Sequence, residues 1–299
     1  MKLSTIGIIF FLMLGSLAVA EDYEPVTIIQ ANWGQGYGEF GLSLEAEGNC
    51  PQSLSVDDRG NFAILDAVNS RVQLYSSLGN WLKNISISTR AFDVKYVENK
   101  IYVLAPYDYL IEEFDHIGKF IKRVEINRKI DLIDGLRLDE NQVCVQTYEQ
   151  KQYRVGGNVS RDMQIQSEQA GFTAGVPELR FQTRWLDQRR GALLIENSQT
   201  NKLETITINT TDRLGSIIFL DTDKDEYIYL RLELFGDDGK PGYEIQKLNY
   251  NGDLVSQFQI QNNNIVMPYR PVTVDNDGNV YSMEIRTEGF SVVKWRVKK

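Results

Sequence analysis

Few residues in this sequence could carry acid–base or metal chemistry. Histidine occurs once, as His116, in a predicted turn between two outer strands. A histidine-based zinc site needs several imidazoles, and a Ser-His-Asp triad needs one placed beside a nucleophile. No nucleophile–base pair or metal cluster stands out. We therefore predict no catalytic residue and no metal ligand.

Two acidic runs have the oxygen ligands that calcium prefers. They are Asp221–Asp225 and Asp275–Gly278. An EF-hand loop needs Gly at its sixth position and Glu at its twelfth, and neither run meets that requirement. Asp, Asn and Gly also favour tight turns. We predict hairpin turns and no cofactor, with an incidental calcium site in either turn as the alternative.

The glycine run Gly34–Gly41 has the composition of a phosphate-binding loop. Such a loop must leave a strand and open a helix so that its amides point at the phosphate. No helical pattern follows this run. It is therefore predicted to connect two sheets.

Only two cysteines occur, Cys50 and Cys144, and they fall at different positions of different repeat units. A disulfide needs Cα atoms about 5.5 Å apart. We predict two separate thiols, with a disulfide as the alternative.

Basic and aromatic residues recur in the predicted segments between sheets and in neighbouring loops. If these segments surround one mouth of a channel, they would form a positive funnel for an anionic ligand or an acidic peptide. The alternative is that each arginine pairs with a nearby acid, such as Asp93, Asp131, Asp134 or Asp212. The predicted ligand-binding residues are Arg90, Tyr107, Arg128, Tyr148, Arg213, Tyr269 and Arg270.

An internal repeat indicates which elements would position these residues. Its clearest copy runs from Pro51 to Gly79 as an alternating strand, an Asp- and Gly-rich turn, an apolar strand, a polar loop, a third strand and a Gly turn. A second copy covers Phe92 to Ile126. Val56 and the equivalent Val274 are 218 residues apart, which is five steps of about 44 residues, the length of a four-stranded propeller blade. Six blades are therefore predicted.

The less regular units lie in the middle of the chain. A third unit starts near Ile133, the fourth shows three convincing strands between Glu178 and Asn209, and the fifth runs from Ser216 to Ile260. The stretch from Gly156 to Pro177 is either a long loop or contains a strand.

The last unit has room for three strands after Pro271. A radial fold leaves no open sheet edge when its ring is closed. The segment Val26–Gln30 is predicted to supply the missing strand by pairing near Phe290–Val297.

The first unit resembles a complete NHL repeat. The last unit carries the pattern well, the second and fifth carry it in part, and the third and fourth carry it poorly. The residues of the first unit that carry the resemblance are Gly38, Glu39, Phe40, Pro51, Val56, Asp57, Gly60, Asn61, Leu65, Asp66, Asn69, Ser70, Arg71, Val72, Gln73, Leu74 and Gly79.

The resemblance implies an all-β, six-bladed β-propeller closed by the N-terminal strand joining the last blade. It also implies binding of proteins, RNA or small ligands in most members and catalysis in a minority, notably a zinc-dependent amidating lyase. With one histidine, the His-rich site of that lyase is not carried over. Six-bladed sugar-lactone hydrolases hold a central metal with carboxylates and amides, so an enzyme remains an alternative.

The first twenty residues are typical of a signal peptide. Lys2 gives a positive start, Ile6–Leu17 is mostly apolar, and Ala18 to Ala20 form a small-residue cleavage site. We predict cleavage after Ala20, one propeller domain over residues 21–299, and a periplasmic or extracellular product. The formal charge of −9 disfavours nucleic-acid binding, because phosphate backbones repel an acidic protein. No membrane insertion is predicted.

These features predict an exported module that binds a protein or a small ligand, with an anionic ligand at the channel mouth. One alternative is a metal-dependent hydrolase or lyase of the six-bladed type. Another is an accessory subunit of a cell-envelope complex that docks through the propeller face or rim. The sequence leaves the ligand and the oligomeric state open.

Overall fold

The protein is a closed ring of six four-stranded antiparallel β-sheets, which confirms the predicted six-bladed propeller. The computed structural model describes residues 21–45, 48–88, 90–139, 142–154, 169–170, 172–174, 176–237 and 239–298. The predicted signal peptide lies outside the described residues. No helix of the described chain is long and apolar enough to cross a membrane.

The blades are numbered in chain order, with strands given from the innermost outward. Blade 1 contains β2 (Ser53–Val56), β3 (Phe62–Asp66), β4 (Arg71–Tyr75) and β5 (Trp81–Ser86). Blade 2 contains β6 (Asp93–Val97), β7 (Lys100–Ala105), β8 (Leu110–Asp115) and β9 (Phe120–Glu125), with a 3-10 turn at Pro106–Asp108. Blade 3 contains β10 (Ile133–Asp139), β11 (Gln142–Thr147), β12 (Lys151–Arg154) and β13 (Gln169–Ala170).

The other three blades complete the ring. Blade 4 contains β14 (Phe172–Ala174), β15 (Val176–Asp187), β16 (Arg190–Asn197) and β17 (Lys202–Asn209). Blade 5 contains β18 (Arg213–Thr222), β19 (Ile228–Phe235), β20 (Pro241–Leu248) and β21 (Leu254–Ile260). Blade 6 contains β22 (Val272–Val274), β23 (Val280–Arg286), β24 (Gly289–Val297) and β1 (Tyr23–Ala31).

The burial of each strand's residues depends on how close the strand lies to the centre of the ring. All five residues of β3 are buried, because a strand covered on both faces is apolar along its length. The outer strand β5 is mostly exposed. Facing blades pack through apolar side chains, as where Phe62 meets Tyr281 with ring centroids 5.2 Å apart. Burying each such side chain stabilises the ring by about 1.5–3 kcal/mol.

Ring closure takes the predicted form. β1 pairs antiparallel with β24, with Val26 opposite Lys294 and Thr27 opposite Val293. Both chain ends therefore lie in blade 6. Neighbouring blades contact each other through their inner strands all the way round the ring.

The structure resolves part of the irregular region. Blade 4 has the three predicted strands, β15 to β17, and the short β14 adds a fourth by pairing with β15. The stretch from Gly156 to Pro177 contributes β13 to blade 3 as well as β14. Residues 156–168, 171 and 175 of this stretch lie outside the described residues.

The two acidic runs form hairpin turns, as predicted. Asp223 Oδ1 accepts hydrogen bonds from the backbone N–H groups of Asp225 and Tyr227, both at 3.0 Å. Asp275 Oδ1 does the same for Asp277 and Asn279, at 3.0 and 2.9 Å. These carboxylates hold their own turns together.

The two cysteines are both buried and form no disulfide within the described chain. Burial raises the pKa of the Cys50 thiol to about 12, because desolvation disfavours the thiolate. Neither cysteine therefore supplies a reactive group at the protein surface.

Candidate functional site: the central cavity

A cavity of about 240 Å³ lies where the inner strands of several blades converge. We call it the central cavity. Its apolar lining comes from Leu54, Val94, Leu136, Ile218, Leu220 and Val272. Its charged lining consists of Lys95, Arg137, Arg231, Arg270, Asp93 and Asp134. Blades 1, 2, 3, 5 and 6 all contribute, so the site exists only in the folded ring.

Arg270 is held by two carboxylates of the cavity wall. Its Nε lies 3.1 Å from Asp93 Oδ2, and its Nη2 lies 3.2 Å from Asp134 Oδ2. Tyr269 Oη also lies 2.8 Å from Asp134 Oδ1. Asp93 in turn accepts hydrogen bonds from Ser53 Oγ at 2.5 Å and from the backbone N–H of Leu136 at 2.8 Å. This network ties blades 1, 2, 3 and 6 together.

Arg137 is also engaged by protein groups. Its Nε donates to Gln146 Oε1 at 2.7 Å, and its two Nη atoms donate to the backbone carbonyls of Phe219 and Leu220. Burial, reinforced by neighbouring Arg270, lowers the pKa of Arg137 to about 10. These contacts fix the guanidinium against blade 5.

Arg231 differs from both of these arginines. Its guanidinium carbon lies 4.7 Å from the centroid of the Tyr243 ring, a cation–π contact. Its Nε is buried and has no hydrogen-bond partner, and no carboxylate pairs with it within the described part of the chain. Burial is the main cause that lowers the pKa of Arg231. A buried donor that has no acceptor destabilises the folded protein.

Lys95 is the second weakly paired cation of the cavity. Its side chain is 17% exposed, and Nζ lies 3.9 Å from Asp221 Oδ2, beyond hydrogen-bond distance. Burial lowers the pKa of Lys95, and Arg137 lowers it further while Asp221 opposes the shift. When charged, Lys95 and Arg231 both lack a described carboxylate within hydrogen-bond distance in the central cavity.

Three predicted ligand-binding residues line the central cavity: Tyr148, Tyr269 and Arg270. The hydroxyl groups of Tyr148 and Tyr269 lie 3.3 Å apart. Tyr107 is 74% exposed and contacts Tyr269 through Phe92, with T-shaped ring contacts at 5.2 and 6.0 Å. These tyrosines form an aromatic rim next to the cavity.

The other predicted residues, Arg90, Arg128 and Arg213, are exposed and are not among the cavity-lining residues. Arg128 lies 5.9 Å from the Tyr109 ring, and Arg213 lies 4.7 Å from the Phe235 ring. Within the described residues, Arg270 is the one predicted arginine that pairs with acids, through Asp93 and Asp134.

Sequence reasoning missed Lys95, Arg137 and Arg231 because they lie inside strands and not in connectors. A usable signal was present. Lys95 and Arg137 are basic residues flanked by apolar residues in the first strand of their units, where Val94 and Leu136 immediately precede them. A charge in a strand that should be buried marks a site to inspect.

Among the residues that the structure describes, no three His, Cys, Asp or Glu side chains are grouped as metal ligands. The calcium alternative at the two acidic turns is therefore not supported by any further ligand there.

No protein-family model matches the sequence, and none of the curated proteins matches it. Solved propellers are similar in structure. A virginiamycin B lyase from Staphylococcus aureus is 9% identical, with a TM-score of 0.51 over 93% of this chain and 100% of that chain. A member of the DUF4221 family from Bacteroides vulgatus is 9% identical, with a TM-score of 0.52 over 93% of this chain and 99% of that chain. At this identity the likeness shows the fold alone.

Proposed function

We propose that this protein is an exported, non-catalytic propeller that binds a small anionic ligand in its central cavity. The observation that carries the proposal is Arg231, whose buried Nε lacks a hydrogen-bond partner within the described chain. Lys95 lines the same cavity with its nearest carboxylate 3.9 Å away. A bound anion would supply the acceptors that both groups lack.

The energetics favour an anion at this position. Hydrogen bonds to charged groups contribute about 1.5–3 kcal/mol each, and they are stronger in a cavity that excludes water. The protein is acidic overall, with a formal charge of −9. A local excess of cations in such a protein is therefore specific to the cavity and does not reflect a generally basic surface.

The binding test compares matched variants by isothermal titration calorimetry with small carboxylates and inorganic phosphate. Arg231→Gln and Lys95→Gln should each weaken anion binding at least tenfold. Arg213→Gln is the control, because this exposed arginine lies outside the cavity lining. Equal losses in all three variants, or no anion binding to the unaltered protein at millimolar concentration, would contradict the proposal.

Export and family membership belong to the same proposal. The signal-peptide pattern of residues 1–20 supports export, and the repeat residues of blade 1 support an NHL-type propeller. Intact mass of the protein recovered from the host should correspond to a chain starting at Glu21. A chain retaining Met1 in the cytoplasm would contradict export.

The two alternatives from the sequence stay predictions. No arrangement of the described side chains specifically favours a metal-dependent hydrolase or lyase. Metal analysis of the purified protein with a panel of lactone and ester substrates tests it, and pull-down from the envelope fraction tests the accessory-subunit alternative.

A further inference from the structure

We infer that the ligand is an amphipathic carboxylate, with one anionic group and a compact apolar body. This inference rests on the proposed function, because it names the class of anion that the central cavity takes. Three features of the cavity carry it: the neighbour of Arg231, the composition of the remaining wall, and the cavity volume.

The neighbour of Arg231 is apolar. Arg231 on β19 is directly opposite Ile218 on β18 in the antiparallel register. Directly opposite residues of an antiparallel pair project from the same face of the sheet, with Cβ atoms about 5 Å apart. Both residues line the central cavity. An anion held by Arg231 therefore places the rest of its molecule beside an isoleucine side chain.

The remaining wall extends this apolar surface across several blades. Leu54 comes from blade 1, Val94 from blade 2, Leu136 from blade 3 and Val272 from blade 6. A ligand with an apolar body gains about 25 cal/mol for each Å² of apolar surface that it buries against them. A fully hydrated inorganic anion gains nothing from this wall.

The uncharged polar groups of the lining are few. They are Thr273 and the hydroxyl groups of Tyr148 and Tyr269. Tyr269 already contacts Asp134, and Tyr148 already contacts Tyr269. The lining carboxylates Asp93 and Asp134 are already engaged by Arg270. A polyhydroxylated anion would therefore bury hydroxyl groups with few remaining partners, each unpaired group at a cost of about 1–3 kcal/mol. The wall therefore selects against sugar acids and sugar phosphates.

The cavity volume limits the size of the body. A volume of about 240 Å³ corresponds to about eight water molecules at roughly 30 Å³ each. A ligand of on the order of ten non-hydrogen atoms fits this space, and benzoate is a suitable probe. A carboxylate supplies acceptor oxygens for the buried Nε of Arg231, which has no hydrogen-bond partner among the described residues.

The test titrates benzoate, benzamide and inorganic phosphate into the full-length mature protein at one ionic strength. Benzoate should bind at least tenfold more tightly than phosphate, and benzamide should show no binding. The Ile218→Thr variant should weaken benzoate binding about fivefold and leave phosphate binding unchanged. Ile121→Thr, the same change at an exposed position of β9, should alter neither.

The outcomes separate this inference from the proposed function. If phosphate binds as tightly as benzoate and Ile218→Thr has no effect, the amphipathic ligand is wrong and the anion site stands. If neither anion binds, or benzamide binds as well as benzoate, both are wrong. Thermal unfolding of Ile218→Thr confirms that the variant is folded before titration.

Discussion

Two arginines of this propeller, Arg71 and Arg231, show how differently the same side chain can be used. Arg71 on β4 donates from Nε to Asp66 Oδ2 at 2.9 Å, from Nη1 to the carbonyl of Gln35 at 2.9 Å, and from Nη2 to the carbonyl of Glu39 at 2.7 Å. Arg231 on β19 makes no hydrogen bond within the described chain and rests on an aromatic ring. The first builds the fold, and the second is the residue that we propose holds the ligand.

The surroundings of Arg71 explain its role. Asp66 is fully buried and also accepts from the backbone N–H of Gly41 at 3.0 Å and from Asn69 Nδ2 at 2.9 Å. Together these groups clamp the glycine run 34–41, which the sequence predicted to be a connector. Among the residues that the structure describes, no such set of acceptors surrounds Arg231.

Asp66→Ala should cause the largest loss of folding stability. This change leaves the Arg71 guanidinium buried without its carboxylate, and breaking a buried pair in this way costs about 3–5 kcal/mol. Urea unfolding followed by tryptophan fluorescence measures the loss. A loss below about 1 kcal/mol would show that the clamp is dispensable and would remove the contrast with Arg231.

A second large loss of stability is expected at the turn between β4 and β5 of blade 1, which packs against the closing strand β1. Gly79 has a φ of +78°, and a Cβ there would clash with the backbone oxygen of Ile28 on β1. Gly79→Ala should lower the free energy of unfolding by at least about 2 kcal/mol, since it adds this clash to the cost of a left-handed conformation. Gly239, with a φ of +72° and open space around it, is the matched control. Gly239→Ala should cost about 1 kcal/mol, and equal losses at the two sites would contradict the close approach of β1.

Arg231→Met should change the free energy of unfolding less than Asp66→Ala and Gly79→Ala, and in the opposite direction. Replacing a buried cation that lacks a partner with an apolar side chain of similar length should leave stability unchanged or raise it by about 1 kcal/mol. The same variant should lose anion binding. Denaturant unfolding and calorimetry on one preparation measure both, and a loss of stability comparable to that of Asp66→Ala would make Arg231 a structural residue.

The smallest effect is a pH dependence of anion affinity. Asp221, Asp93, Arg137 and Arg270 act on Lys95, and burial, the largest cause, places its pKa below the ordinary 10.5. The cationic form binds the anion, so affinity should be highest below this lowered pKa and fall as the pH rises through it, before ordinary lysines titrate. Lys95→Arg keeps the charge and should remove the step. Calorimetry over a pH series measures this fall in affinity. If Lys95→Arg shows the same fall, another titrating group is responsible for it.

The ring and its closure could be predicted from the sequence because they depend on local, repeated signals. The Asp- and Gly-rich turns need particular backbone angles, and alternating apolar residues mark each strand. The segment Val26–Gln30 was recognisable because the last unit lacked a strand. The stretch Gly156–Pro177 does contain strands, which was one of its two predicted alternatives, but β13 and β14 could not be positioned because two or three residues show no periodicity.

The site was predicted only in part because it depends on contacts between distant residues. Tyr148, Tyr269 and Arg270, selected for their position in loops and connectors, line the cavity, and their role in binding stays a prediction. Lys95 and Arg231 are 136 positions apart in the sequence, and only the closed ring brings both to one cavity. No local pattern distinguishes Arg71, whose donors are used, from Arg231, whose donors are not.

The pairing of β1 with β24 has a consequence for how the molecule is made. During synthesis β1 (Tyr23–Ala31) is made before every other strand, and its edge stays unpaired until β24 (Gly289–Val297) follows. Contacts that span nearly the whole chain form slowly, and an unpaired strand edge invites association with other chains. Until β24 has been made, the ring is therefore open, and agents that cover the free edge of β1 should raise the yield of closed rings.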